Sequence, residues 1–379
     1  MLEYVYLPTN VLEEAQKRVS FLFDEFEKVV CSFSGGKDSS VVLQLALSEA
    51  RKRNRLPLDV FFVDQEAEWS YTIELADKHK NNPELNFHWF QIELDYTNNS
   101  SSLEVMIRVW DERKKEFWIR EKRKDAITEN TFGITRFGEF FEKILPIFFP
   151  DQKTCFFAGV RTEESPARKM GLTSAITYKW ITWGKRLTSG RDNYFTFYPI
   201  YDWTYRDIWK YIFDNKVPYS KLYDLQYSLG LNIPEMRTSS LIHETALKSL
   251  THMREIDKDM AGKLIKRFDG INTYIQSTKS YSVENLPFMF ENWKDYREYL
   301  IDHLIIVEKD RKTIRQHIKE VEKLMDKYDM NYKEREPFEK TIIKGVLISD
   351  LDGTKFKNVN SKLRTSQYEK RYTKSLQNN

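Results

Sequence analysis

Cysteine is scarce in this 379-residue sequence, which holds only Cys31 and Cys155. Each lies in an apolar run that reads as a strand. Two thiols build neither a disulfide framework nor a four-cysteine zinc or iron–sulfur centre, and they point to a reducing compartment. Long apolar runs are missing as well: nowhere do 18 apolar residues follow one another. The N-terminal MLEYVYLPTNVLEEAQKRV is acidic and amphipathic, without a basic stretch leading into an apolar block. Neither a membrane span nor an export signal is expected, and the expected location is cytoplasmic.

A charge of one sign is also lacking. Sixty Lys and Arg face 57 Asp and Glu, too even a balance for the whole molecule to hold nucleic acid by its field. Local surpluses remain, eight basic against four acidic residues over 108–124 and seven against two over 352–379. These stretches suit a nucleic acid or another polyanion, and equally a solvated helix face and a mobile tail. No internal repeat is found. What is plentiful is apolar and aromatic material, 41% hydrophobic residues with 25 Phe and 21 Tyr, which supports a packed core.

Periodicity gives the order of elements. Residues 10–26 read as a helix, 29–33 as a buried strand, and 39–50 as a helix entered through a Ser-Gly-Gly turn. Strands are expected at 58–63, 87–92, 154–160 and 194–200, with helices around 70–80 and 204–213. Alternation of this kind predicts an α/β doubly wound, mainly parallel sheet. The expected plan is a nucleotide-binding domain over 1–220 with a charged insertion at about 95–150. A mainly helical domain over 221–355 and a flexible basic tail over 356–379 are expected to follow. In the helical part Ile314, Ile318, Val321 and Met325 form one apolar stripe.

The chemistry-bearing segment is Ser34-Gly35-Gly36-Lys37-Asp38-Ser39. It does not have the Walker spacing, and no GxGxxG follows any expected strand. Adjacent glycines let backbone N–H groups turn toward an anion without a Cβ in the way, and the helix that follows presents its positive end. Lys37 then suits phosphate oxygens, Ser34 and Ser39 can donate hydroxyls, and Asp38 suits a magnesium ion bridging phosphates. Asp64, closing the second expected strand, stands where an open parallel sheet places ligand groups, with Glu66 and Glu68 nearby. The six histidines have no metal-ligand spacing such as HExxH, and His243 and His252 read as surface or core-edge groups.

SGGKDS is similar to the PP-loop of the ATP pyrophosphatase superfamily. Gly159-Val160-Arg161-Thr162-Glu163-Glu164-Ser165-Pro166-Ala167-Arg168 resembles the G-[IV]-R-x-x-E-S-x-x-R element of phosphoadenosine phosphosulfate (PAPS) reductase-like proteins. The stretch from Tyr198 through Pro199, Trp203 and Asp207 to Trp209 resembles their P-[IL]-x-x-W-x-x-x-D-[IV]-W element. Weaker likeness continues at Leu222-Tyr223-Asp224, Glu235-Met236-Arg237 and Asn292–Tyr296. The resemblance implies an adenine nucleotide alpha hydrolase-like fold. It also implies a nucleotide pocket in which Arg161 and Arg168 reach phosphate or sulfate oxygens, shaped by Gly159, Glu164 and Ser165. Without it, ion pairing of Arg161 and Arg168 with Glu163 and Glu164 is the simpler reading. Trp203 and Trp209 are expected to pack the last strand on its helix.

The sequence departs from the reductases at one decisive place: it has no Glu-Cys-Gly-x-His motif, so the thiolate that attacks sulfate in those enzymes is missing. What the resemblance leaves is the chemistry of the loop. The expectation is an enzyme that binds ATP with Mg2+ and cleaves it between the α and β phosphates to adenylate an acceptor, with Lys37, Asp38, Arg161 and Arg168 carrying the reaction. The open alternatives are a non-catalytic sensor of ATP or PAPS, and a subunit of a nucleic-acid-modifying or defence complex with a protein partner.

Overall fold

The computed structural model describes residues 8–97, 106–173, 175–187, 193–242, 252–268, 283, 285–305, 307–347 and 350–377. It divides into two compact units, one of Met1–Tyr96 with Arg108–Arg267 and the other of Thr97–Ile107 with Phe268–Asn379.

In the first unit the apolar runs become strands β1 (Lys28–Ser32), β2 (Leu58–Val63) and β3 (Leu85–Phe90). Two short strands follow, β4 (Leu94–Thr97) and β5 (Met106–Val109), and then β6 (Thr154–Phe157), β7 (Gly184–Arg186) and β8 (Tyr194–Phe197). Six of them form one sheet in the order β3-β2-β1-β6-β8-β7, parallel throughout except for β7 on β8. Every residue of β2 is buried, as expected of a parallel strand covered on both faces. The antiparallel edge strand β7 was not foreseen, because three residues are too few to show a period.

Helices α1 (Val11–Glu25), α2 (Lys37–Lys52), α3 (Ser70–Lys80) and α6 (Tyr205–Asn215) match the expected segments, while α4 (Phe140–Phe148), α5 (Pro166–Thr173) and α7 (Leu222–Ser228) complete the set that frames the site. Val60 and Phe62 join Leu22, Phe23, Val42 and Ala46 in one core. Phe61 points the other way, since strand side chains alternate, and meets Phe148 of α4 at 5.1 Å. Phe90 likewise meets Phe140 at 4.9 Å. The charged segment expected as an insertion therefore supplies a helix that covers the second face of the sheet.

From β1 the chain moves outward through β2 to β3, then returns to the other side of β1 for β6 and β8. The crevice above the ends of β1 and β6 is the point where the winding reverses, and open α/β sheets bind ligands there. This is the doubly wound, mainly parallel arrangement expected from the sequence.

Helices α8 (Met253–Ile256) and α9 (Lys258–Arg267) still belong to the first unit, so that unit runs past the boundary expected at residue 220. The second unit contains α10 (Trp293–Leu304), α11 (Glu308–Lys327), α12 (Tyr332–Leu347) and α13 (Thr354–Gln377). Ile314, Ile318, Val321 and Met325 are buried there together, as their spacing predicts. The segment expected as a flexible tail is helical through Gln377, and Phe356, Val359 and Leu363 enter this core. Their spacing of three and four is a helical signal that the surrounding Lys and Asn obscure.

Candidate functional site

The glycine turn adopts the geometry its residues demand. Gly35 has φ +70°, and a Cβ there would lie 2.5 Å from Cγ2 of Thr72. Gly159, just past β6, approaches the same loop so closely that a Cβ would be 2.7 Å from the carbonyl carbon of Asp38. Gly159 thus packs backbone on backbone and Gly35 packs on the Thr72 side chain, and a Cβ at either would obstruct the contact. Ser39 Oγ donates to the Gly36 carbonyl at 2.9 Å and accepts from the Ser34 amide at 3.2 Å, which ties the turn to the first turn of α2. Gly36 caps α2 with no side-chain hydrogen bond, so the helix opens with amides unclaimed by a capping side chain.

Charge gathers at this end. Arg161, 4% exposed, donates from Nε to Asp38 Oδ1 at 2.5 Å and from Nη1 to Glu163 Oε2 at 2.5 Å. Lys37 Nζ lies 3.0 Å from the other Asp38 oxygen. Arg168 pairs with Glu164, and burial, then the neighbouring Arg237, pulls its guanidinium below the ordinary arginine range. The ion-pair reading and the pocket reading of Arg161 and Arg168 thus hold together: both residues are paired and both line one cavity of about 640 Å³. That volume suits a nucleotide.

Of the residues singled out from sequence, Ser34, Gly36, Lys37, Asp38, Ser39, Gly159, Arg161, Glu164 and Arg168 line the cavity. Gly35 and Ser165 do not; the first shapes the turn, and the second accepts the Arg168 amide at 3.2 Å. Asp64 is not brought there either. It is fully buried, accepting from Trp89 Nε1 at 3.1 Å, from Gln91 Nε2 at 2.9 Å and from the Glu66 amide at 3.0 Å, and it pairs with Arg120. A carboxylate so enclosed anchors β2 to β3 instead of facing a ligand. Glu66, at φ +65°, is likewise consumed by a buried pair with Arg267 at 2.6 Å.

Glu68 is the carboxyl that does reach the cavity, and burial followed by the charge of Asp64 pushes it up to about 8. The cavity is closed by residues that composition and spacing do not mark, among them Thr238, Ser240 and Arg237. Arg237 has no carboxylate partner among the described residues, and Ser240 Oγ is buried without one. Tyr223 accepts the Lys37 amide on its hydroxyl at 3.0 Å, and Lys37 Nζ lies 5.6 Å from the centre of its ring. The weaker motifs at Leu222–Asp224 and Glu235–Arg237 were the sequence signal for Tyr223 and Arg237.

The basic stretch 108–124 is largely tied up within the chain. Arg108 pairs with Asp95, Arg113 with Asp111, Arg120 with Asp64, Lys122 with Glu112 and Arg123 with Asp77 and Asp125. His252 stands 3.7 Å from Glu255, whereas His243 lies outside the described residues. Among the described residues no three His, Cys, Asp or Glu gather to hold a metal ion, and no helix is long and apolar enough to cross a membrane.

Residues 28–230 match the family described as the phosphoadenosine phosphosulfate reductase domain. The chain is 28% identical over 282 residues to "Uncharacterized protein YbdN" of Escherichia coli (strain K12), covering 70% of this chain and 67% of that one. Among solved structures, Candida glabrata FMN adenylyltransferase in complex with FAD and inorganic pyrophosphate is similar at TM-score 0.35 and 15% identity, over 59% of this chain. The match takes in 64% of the Candida glabrata chain, less than two thirds of its length. PAPS reductase from Candida auris is similar at TM-score 0.30 and 14% identity, over 59% of this chain and 94% of that one.

Proposed function

The chain belongs to the phosphoadenosine phosphosulfate reductase domain family, and from that premise we propose that it is an ATP pyrophosphatase that adenylates an acceptor. The observation that carries this reading is the convergence of a helix start without a capping side chain and of Lys37, Arg161, Arg168 and Arg237 on one nucleotide-sized cavity. Thiol chemistry is not open to the two cysteines. Cys31 and Cys155 are fully buried in β1 and β6, and burial drives both thiols far above their ordinary range, away from the reactive thiolate.

In this reading the polyphosphate of ATP lies against the start of α2, where an anion is favoured by oriented amides and the helix dipole. An acceptor oxygen attacks the α-phosphorus, the bond from the α-phosphorus to the bridging oxygen breaks, and pyrophosphate leaves with the electron pair. Lys37 and the α2 amides stabilise charge growing on the leaving group, and Arg161 and Arg168 hold the α-phosphate and the acceptor in line. Magnesium fits only together with the polyphosphate, because Asp38 is the loop's single carboxylate and its oxygens face Arg161 and Lys37. Asp38 would be the protein ligand, and the ion would neutralise charge on the phosphates.

Incubation of the purified protein with ATP, Mg2+ and candidate acceptors is expected to release pyrophosphate. Lys37→Ala should lower the rate by about 10²–10³-fold, the cost of losing one donor to developing charge. Nucleotide bound tightly in calorimetry but never turned over, with any acceptor offered, would replace this reading with that of a nucleotide sensor.

A further inference from the structure

Beside the loop cavity lies a second one of about 540 Å³, walled by the rings of Tyr205, Trp209, Tyr219, Tyr223 and Tyr227. The two adjoin, sharing Tyr205, Tyr223, Ile233 and Met236 in their linings. Tyr223 is the hinge of this arrangement, because its hydroxyl takes the first amide of α2 while its ring borders the groove. Trp209 stands perpendicular to two of the tyrosines, at 5.4 Å and 90° to Tyr219 and at 5.2 Å and 87° to Tyr223. Packing of β8 on α6, the role expected of Trp209 from sequence, does not explain the row of tyrosines beside it.

The polar groups around the rings narrow the occupant. Arg206 is exposed and has no carboxylate partner among the described residues; its Nε donates only to the Tyr205 hydroxyl, at 3.2 Å. Asp224 is engaged by the Tyr219 hydroxyl at 3.1 Å. A cation caged by aromatic rings would find the Arg206 guanidinium in its way. A nucleic-acid strand would need a track of basic residues along the groove, and the lining offers one arginine and one aspartate. A flat ring with an anionic group satisfies both features, tyrosine faces to stack on and a negative charge for Arg206.

We propose that this groove is the acceptor subsite, and that it takes a small flat-ringed compound bearing a phosphate, its ring stacked among the tyrosines and its anion at Arg206. The proposal rests on the adenylylation reading above and names the class of acceptor.

The test uses the full chain with the loop cavity saturated by the non-hydrolysable ATP analogue AMPCPP, titrated with flavin mononucleotide and each of the four ribonucleoside monophosphates. At least one of these five is expected to bind one-to-one beside the analogue and to quench tryptophan fluorescence. Tyr227→Ala and Arg206→Ala change exposed side chains and leave the fold intact. Each should weaken that second binding about tenfold, the usual worth of a stacking or charged contact, and leave AMPCPP affinity unchanged. The proposal is overturned if none of the five binds, or if both variants bind them like the parent protein. It is equally overturned if tetramethylammonium or a single-stranded oligonucleotide takes the groove in their place. Failure of AMPCPP itself to bind would sink the adenylylation reading separately, since it is measured before any second ligand is added.

Discussion

Arg161 and Arg297 are both buried, at 4% and 0% exposure, and both meet carboxylates. Arg297, on α10, donates from Nη1 to Glu339 at 2.8 Å and from Nη2 to Glu322 at 2.6 Å, with Glu298 at 3.4 Å. Its helix belongs to the unit whose core holds Ile301, Val321 and Ile343, and Arg297 lines neither cavity. Arg161 has a similar set of partners but borders a cavity on one side, among Lys37, Arg168 and Arg237. Burial with ion pairing therefore does not by itself mark a site. The open side does, because only there can a ligand's charge replace or join the partners already present.

The sharpest break in that comparison comes from removing each arginine. Arg297→Met strands three glutamates, and urea unfolding should show a loss of about 3–5 kcal/mol; adding Glu339→Leu should recover much of it. Arg161→Ala should instead act on turnover, lowering pyrophosphate release by about 10²–10³-fold with a smaller loss of stability. Arg161→Lys should not rescue it, since a point charge cannot serve Asp38 and Glu163 from one planar fork. Gly35→Ala tests the scaffold alone: a strained φ and a collision with Thr72 should cost about 1–3 kcal/mol and weaken nucleotide binding in calorimetry.

The smallest expected effect concerns Glu68. Its carboxyl is pushed up to about 8 by burial and then by Asp64, so the folded chain keeps a proton that the unfolded chain releases above the ordinary value of 4.5. That contribution is complete below 4.5 and is lost as pH rises toward 8. Melting temperature should fall across this window in the parent protein, and less steeply in Glu68→Gln, which has no proton to lose. Parallel curves for the two proteins would show that Glu68 titrates in the ordinary range.

Much of the first unit was legible because parallel strands buried on both faces write continuous apolar runs, and β2 falls on Leu58–Val63 as read. The loop was legible for a related reason, since Gly35 holds a positive φ and a contact with Thr72 that a Cβ would not allow. Asp64 misled because its position at a strand end is shared by ligand groups and by anchors, and only its partners Trp89, Gln91 and Arg120 tell them apart. Arg237, Thr238 and Ser240 arrive from a segment with little regular structure, so no period announces them. Local pattern reveals what a residue's own element requires, whereas closure of a cavity depends on where a distant segment returns.

The two thiols carry a practical consequence. Cys31 and Cys155 occupy neighbouring strands with no exposed surface, and burial holds both in the unreactive protonated form. The native chain should accordingly ignore maleimide reagents, so that a single cysteine introduced at an exposed position such as Tyr227 would carry a fluorophore without background labelling. Opening of the sheet would uncover the two native sulfurs together, which makes their alkylation a built-in clock for unfolding.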